Sequence, residues 1–426
     1  MLRSLSLCLT LLPVSALAET RFALVVGANA GWSQDRALRH AVSDAQHVAE
    51  VLAELGEFER DNVVLLRDPD TAEVRAGLAA LAKKASAVDG QTLVFFYYSG
   101  HADDRWLHLK GDPLGFDELN ATLRDLPAQV RVGVLDACRS GALVSTKGGA
   151  PVATFDVTVV DELTVRGLAL LTSSGADELS QEQRALQGSV FTHHLISGLR
   201  GAADFDSNGQ VTLAEAYRHA YQRTEADTAA TLAPQRPAFR YDIKGKGELV
   251  MTWPVKSTAS LLLPRGAGER YVVVDDEERW VVAEGSASPD HELRVALPAG
   301  KYRVKQVLAD QLQVASLTLA DGARVDAKGL AYSSMPLSSG LVKGVDLADV
   351  VVHPRTAFWF VAGSAVLAGI AWAVAGGTNL QMRGQYAAVG RPLSPRESQT
   401  VTGWAVASDV AMGLTATLLL AAVFTW

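Results

Sequence analysis

The sequence predicts an α/β domain, a three-layer sandwich around a mostly parallel central sheet, followed by a small all-β domain and a C-terminal transmembrane helical hairpin. Three observations carry this. Short apolar runs alternate with segments of helical periodicity from about Arg21 to Trp253, the period changes to two from about Ser257 to Val325, and two nearly uncharged stretches of spanning length close the chain. The expected boundaries are 1–18 for a signal peptide, 19–253 for the α/β domain, 257–345 for a small β-sandwich-like domain and 354–426 for the membrane segment.

Residues 1–18 carry Arg3, an apolar run over 5–14 and then Ala16-Leu17-Ala18, a small-x-small pattern that predicts cleavage after Ala18 and export. The run is too short to span a bilayer comfortably. In the α/β region the runs FALVVGA, NVVLLRD, TLVFFYYSG, VRVGVLDA and LALLTSS are rich in β-branched and large apolar residues, as buried parallel strands require. Leu38, Ala41, Val42, Ala45, Val48, Ala49, Leu52 and Leu55 recur at helical spacing between the first two, and 71–87 also reads as helix.

In the β region Leu293, Val295 and Leu297 share one face, Pro298-Ala299-Gly300 makes a turn, and Tyr302 and Val304 resume the alternation. The two closing stretches, 357–377 and 403–426, have Trp359, Trp372, Trp404 and Trp426 near their ends. Between them Arg383, Arg391 and Arg396 stand against Glu397, which predicts a cytoplasmic loop with the bulk of the chain on the other side of the membrane.

A net charge of −8 over 426 residues, with no basic stripe, argues against nucleic acid as a partner. The chain has two cysteines, Cys8 and Cys138, and removal of the signal peptide leaves one, so an internal disulfide is excluded from the mature protein. A lone thiol in an oxidising compartment is either a small core residue or a functional one.

Two strands end in polar signatures: TLVFFYYSG runs into His101, and VRVGVLDA runs into Cys138. At the carboxyl edge of a parallel sheet these side chains emerge together if the strands are neighbours. An imidazole beside a thiol raises the thiolate fraction and can protonate a leaving amine, and backbone N–H groups at Gly100 and Cys138 are candidate oxyanion donors. Taken singly, His101 reads as a loop side chain and Cys138 as core.

The pair YYSGH and DACRSG, in the order His then Cys on two strands, resembles the caspase and metacaspase family of cysteine peptidases over about residues 20–250. LRHAVSDA at 38–45 and LLTSSGADELSQE at 170–182 resemble further motifs of that family. Ala102 and Arg139 stand where metacaspases usually have Gly and His. The resemblance implies the caspase-like fold, peptide-bond hydrolysis by His101 and Cys138, and a pocket for a basic substrate residue lined by Asp44, Ser99 and Asp136. Alternatively, Asp44 caps or solvates a helix and Asp136 bonds backbone in a tight turn.

Asp204, Asp206, Asn208, Gly209 and Glu215 fit the calcium-loop pattern, with the Gln210 carbonyl as a further ligand; the other reading is a polar loop that starts a helix at Thr212. No organic cofactor is implied. The expected partners are protein or peptide substrates, and the membrane through the C-terminal hairpin. Two other functions compete with proteolysis after Arg or Lys: a non-proteolytic caspase-like scaffold that binds peptides, and a thiol hydrolase of some other acyl substrate.

Overall fold

The computed structural model describes residues 19–137, 166–175, 180, 182–183, 186–229, 231, 234–244, 248–308 and 311–336. The predicted signal peptide, Cys138 and the segment after it, and both predicted membrane spans lie outside the described residues.

Each expected apolar run forms a strand: β1 (Thr20–Gly27), β2 (Val63–Arg67), β3 (Thr92–Ser99), β6 (Val130–Asp136) and β7 (Arg166–Thr172). Short ribbons precede the last two or follow them: β4 (Trp106–Leu107) with β5 (Leu114–Gly115), and β8 (Glu182–Gln183) with β9 (Gly188–Ser189). β10 (Val211–Thr212) pairs with β12 (Val250–Thr252), and β11 (Ala238–Lys244) completes the main sheet. The main-sheet order is β11-β7-β6-β3-β1-β2. The five expected strands are parallel, and β11, which the apolar runs did not reveal, adds an antiparallel edge.

Alternation along each strand sends residues to opposite layers. On one face Leu93, Phe95, Tyr97, Val132 and Val134 pack with α1 (Ala41–Leu55), α4 (Val190–Ser197) and α5 (Leu213–Thr228). On the other, Val94, Phe96, Tyr98 and Leu135 pack with α2 (Thr71–Ser86) and α3 (Phe116–Asp125). Asp70 starts α2 with a capping box, its carboxylate accepting from the Glu73 N–H while Glu73 accepts from the Asp70 N–H. The two layers of core residues hold the strands level, so that Ser99 at the end of β3 is paired in register with Asp136 at the end of β6.

The β domain has β13 (Ala259–Leu263), β14 (Arg270–Asp275), β15 (Val281–Ser286), β16 (Leu293–Leu297), β17 (Gly300–Val307), β18 (Gln311–Leu319), β19 (Arg324–Asp326) and β20 (Ser333–Pro336). They form two sheets, β16-β13-β19 and β15-β14-β17-β18-β20, around Leu261, Val273, Val295, Leu297, Tyr302 and Val304. The period-two face seen in the sequence is therefore the inner face.

This domain lies tightly on the α/β domain. Arg200, buried, reaches Glu54 at 3.1 Å and the Ala296 carbonyl of β16 at 3.2 Å. Next to it Gly201 has φ +117°, and a Cβ there would collide with the Arg294 carbonyl, so the approach of the domains itself requires glycine. The described residues all belong to one compact unit. Among the described residues no helix is long and apolar enough to cross a membrane.

Candidate active site

His101 leaves the sheet edge two residues beyond β3 and is held by three contacts. Its carbonyl accepts from the Tyr98 hydroxyl at 2.7 Å and from the His108 N–H at 3.0 Å, and its Nε2 lies 2.7 Å from the Arg36 carbonyl in the loop before α1. A carbonyl can only accept, so Nε2 carries the proton and Nδ1 is left as the basic nitrogen. Such an imidazole can take a proton from a thiol.

The Gly100 N–H donates to the Asp136 carbonyl at 3.2 Å, which corrects the expectation that it faces an oxyanion: as arranged it closes the β3–β6 ladder. Gly100 has to be glycine for a different reason, since a Cβ would run into the Tyr98 ring and hydroxyl. The other expected donor, the N–H of Cys138, lies outside the described residues.

Behind His101, the end of β6 and the start of α1 bring two acids to the N-terminus of α4. Asp136 is buried, and its carboxylate accepts from the hydroxyls of Ser180 at 2.7 Å, Thr192 at 2.6 Å and Ser189. Asp44, also buried, accepts from the Ser189 N–H at 3.1 Å. Ser189 is thus a bridge, its hydroxyl on one acid and its amide on the other. Burial raises the Asp44 carboxyl well above the ordinary range, and the charges of Asp136 and Glu182 push the same way against the Ser189 bond. Ser99 is buried beside them at the end of β3, and the Tyr97 hydroxyl, 2.6 Å from that of Thr192, is also held well above its usual value by burial and then by the two acids.

Ser189, Thr192, Ser180 and Glu182 escaped the sequence reading. The one local signal was Ser189 as an N-cap, its hydroxyl accepting from the Thr192 N–H. Both plainer readings of the acids are corrected by burial: Asp44 is neither a solvated nor a capping group, and Asp136 bonds side chains rather than turn backbone.

A family model settles the relationship: Peptidase C14, described as a caspase domain, matches residues 20–241, more than half of the chain. The chain belongs to this caspase-domain family of cysteine peptidases. No curated protein matches it. Among solved structures it is similar to caspase-1 from Spodoptera frugiperda, at 14% identity and a TM-score of 0.41, over 56% of this chain and 92% of that one.

Within the caspase domain, between α4 and α5, lies the candidate calcium loop, whose donors are partly engaged with each other. Asp206 accepts from the Asn208 N–H at 3.1 Å, Asn208 accepts from the Gln210 N–H at 2.8 Å, and Glu215 with Thr212 forms the capping box of α5. The helix-starting reading of Thr212 is therefore correct as far as it goes. Asp204 Oδ1 is buried with no hydrogen-bond partner. Burial raises the Asp204 carboxyl, and the nearby Asp206 and Glu215 charges raise it further.

Where the caspase domain meets the β domain, donor atoms of His193, His194 and Glu284 lie within 4.8 Å of one another. Their neighbours oppose a dication. Arg223 reaches Glu284 at 2.5 Å and Arg270 reaches it at 2.7 Å, while Asp227 holds His194 Nε2 at 3.0 Å. The cluster is a buried ion-pair network that ties β15 to α4.

Proposed function

We propose that the chain is a membrane-anchored, exported cysteine endopeptidase that cleaves after Arg or Lys, with Cys138 as nucleophile and His101 as base. The observation that carries this reading is the Asp44–Ser189–Asp136 arrangement behind His101. Two acids in one buried cluster disfavour a substrate carboxylate beside them and favour a guanidinium or ammonium group. The sign of the Asp44 shift adds a second mark: with its pKa raised, Asp44 must give up a proton to pair with a cation, so KM for an Arg peptide falls as pH rises.

The full chain should sediment with membranes until detergent is added, and should then hydrolyse fluorogenic Arg or Lys peptides. Juxtaposed like charges cost several kcal/mol, so discrimination against Asp peptides is expected at about a hundredfold or more. Equal turnover of Asp peptides would remove the pocket assignment. Thiol alkylation without any peptide hydrolysis would favour the scaffold reading instead.

The same reading includes a calcium ion at 204–215, with Asp204, Asp206, Asn208, the Gln210 carbonyl and Glu215 as the residues that would hold it. Loops of this kind outside the cell bind at about 0.1–1 mM. At about 5 mM calcium the stabilisation is then about 1–2 kcal/mol, a rise in thermal midpoint of about 2–8 °C. Asp204→Asn combined with Asp206→Asn should abolish the rise while leaving the Thr212–Glu215 cap intact; an equal rise in that variant would place the ion elsewhere.

A further inference from the structure

The base of the proposed dyad is oriented by a backbone carbonyl, and that carbonyl sits in a loop with little packing of its own. Between β1 and α1, Ser33, Gln34, Arg36 and Ala37 are exposed. The loop nevertheless has a defined anchor one residue from Arg36. Asp35 Oδ2 accepts from the Trp32 N–H at 2.8 Å and lies 2.8 Å from His108 Nδ1. The Trp32 ring stacks on the His108 imidazole with centroids 3.7 Å apart and planes 10° from parallel. On its other side His108 Nε2 lies 3.2 Å from Asp103 Oδ2, an electrostatic contact outside hydrogen-bond geometry, and Asp103 is fixed by the N–H groups of Arg105 and Trp106, both at 2.8 Å. His108 also donates its own N–H to the His101 carbonyl.

One largely buried imidazole therefore connects the loop that presents the Arg36 carbonyl to the backbone of His101, the residue whose Nε2 meets that carbonyl. We propose that His108, clamped between Asp35 and Asp103 under Trp32, is a positioning residue that keeps the Arg36 carbonyl on His101 Nε2 and so keeps Nδ1 available to Cys138. The inference rests on the dyad reading above. The tautomer of a catalytic histidine is set by the bond its other nitrogen makes, and a displacement of about 1 Å can cost about a hundredfold in rate. An anchor on residue 35 controls the carbonyl of residue 36 directly.

The test uses the full chain in detergent and two variants. Asp35→Asn keeps the shape of the loop side chain and weakens the contact, and His108→Phe keeps the stack on Trp32 and removes both ring nitrogens. The readouts are kcat and KM on an Arg peptide and the pH dependence of Cys138 alkylation by iodoacetamide, with His101→Ala as reference. Both variants should lower kcat by about 10- to 100-fold with KM nearly unchanged. Both should also move the alkylation profile toward that of His101→Ala. A profile that responds to His101→Ala but to neither variant overturns the clamp alone. A profile that His101→Ala leaves unchanged overturns the dyad and the clamp with it. Should His108→Phe fail to fold, Asp35→Asn decides.

Discussion

Cys138→Ala and His101→Ala should each lower kcat/KM for an Arg peptide by about a thousandfold or more, roughly 4 kcal/mol of transition-state stabilisation. An alanine at 138 leaves no atom to attack the carbonyl. An alanine at 101 leaves a thiol that is mostly protonated near neutral pH and a leaving amine with no proton donor. The two residues act as one unit, so the double variant should be about as slow as the slower single one. Each variant should keep the wild-type thermal midpoint within a few degrees, because His101 meets its neighbours mainly through its backbone carbonyl. Residual turnover near wild type in Cys138→Ala would assign the activity to another group. Additive losses in the double variant would mean that His101 serves something other than the thiol.

The parts of this site that were legible in the sequence are those written locally. YYSG and VLDA end apolar runs, so the strand edge carrying His101 and Asp136 followed from period and composition alone. The Ser99–Asp136 pairing then followed from the parallel order of β3 and β6. What the sequence could not show is who answers these groups. The partner of His101 Nε2 is a main-chain oxygen, for which the side chain of Arg36 gives no signal. Ser189 bridges Asp44 and Asp136 across separations of 145 and 53 residues. Glu284 lies in VVAEGS, where period two leaves it no apolar role, yet it is buried because α4 covers that side of β15. The same burial makes the domain junction sensitive to acid.

Acidification from pH 7 to about 4.5 should destabilise the chain, and much of the loss should disappear when His194 and His219 are replaced. Burial, opposed in part by the Asp227 bond, lowers His194 to a pKa of about 4. Burial, then the His194 and Arg223 charges, lowers His219 to about 3. The sign follows from proton counting. Between the unfolded value near 6.5 and these folded values, the unfolded chain binds protons that the folded chain refuses, so stability rises with pH and is lost on acidification across this window. Glu284 acts in the same direction at lower pH: burial alone would raise it, but His193 and Arg270 hold it well below its ordinary value, and its contribution goes as it is protonated. Asp44 acts oppositely, since its raised pKa makes the folded state the better proton binder. A comparison of wild type with the His194→Gln and His219→Gln double variant cancels Asp44 and Glu284 to first order. At about 1.4 kcal/mol per unit over about two units, each histidine accounts for roughly 2.5 kcal/mol and the two for on the order of 5 kcal/mol, a large part of a domain stability of about 5–15 kcal/mol. Urea unfolding at pH 7.0 and 4.5 reads this directly: the wild type should lose on the order of 5 kcal/mol more than the variant, and parallel losses would show that the buried histidines do not govern the acid response.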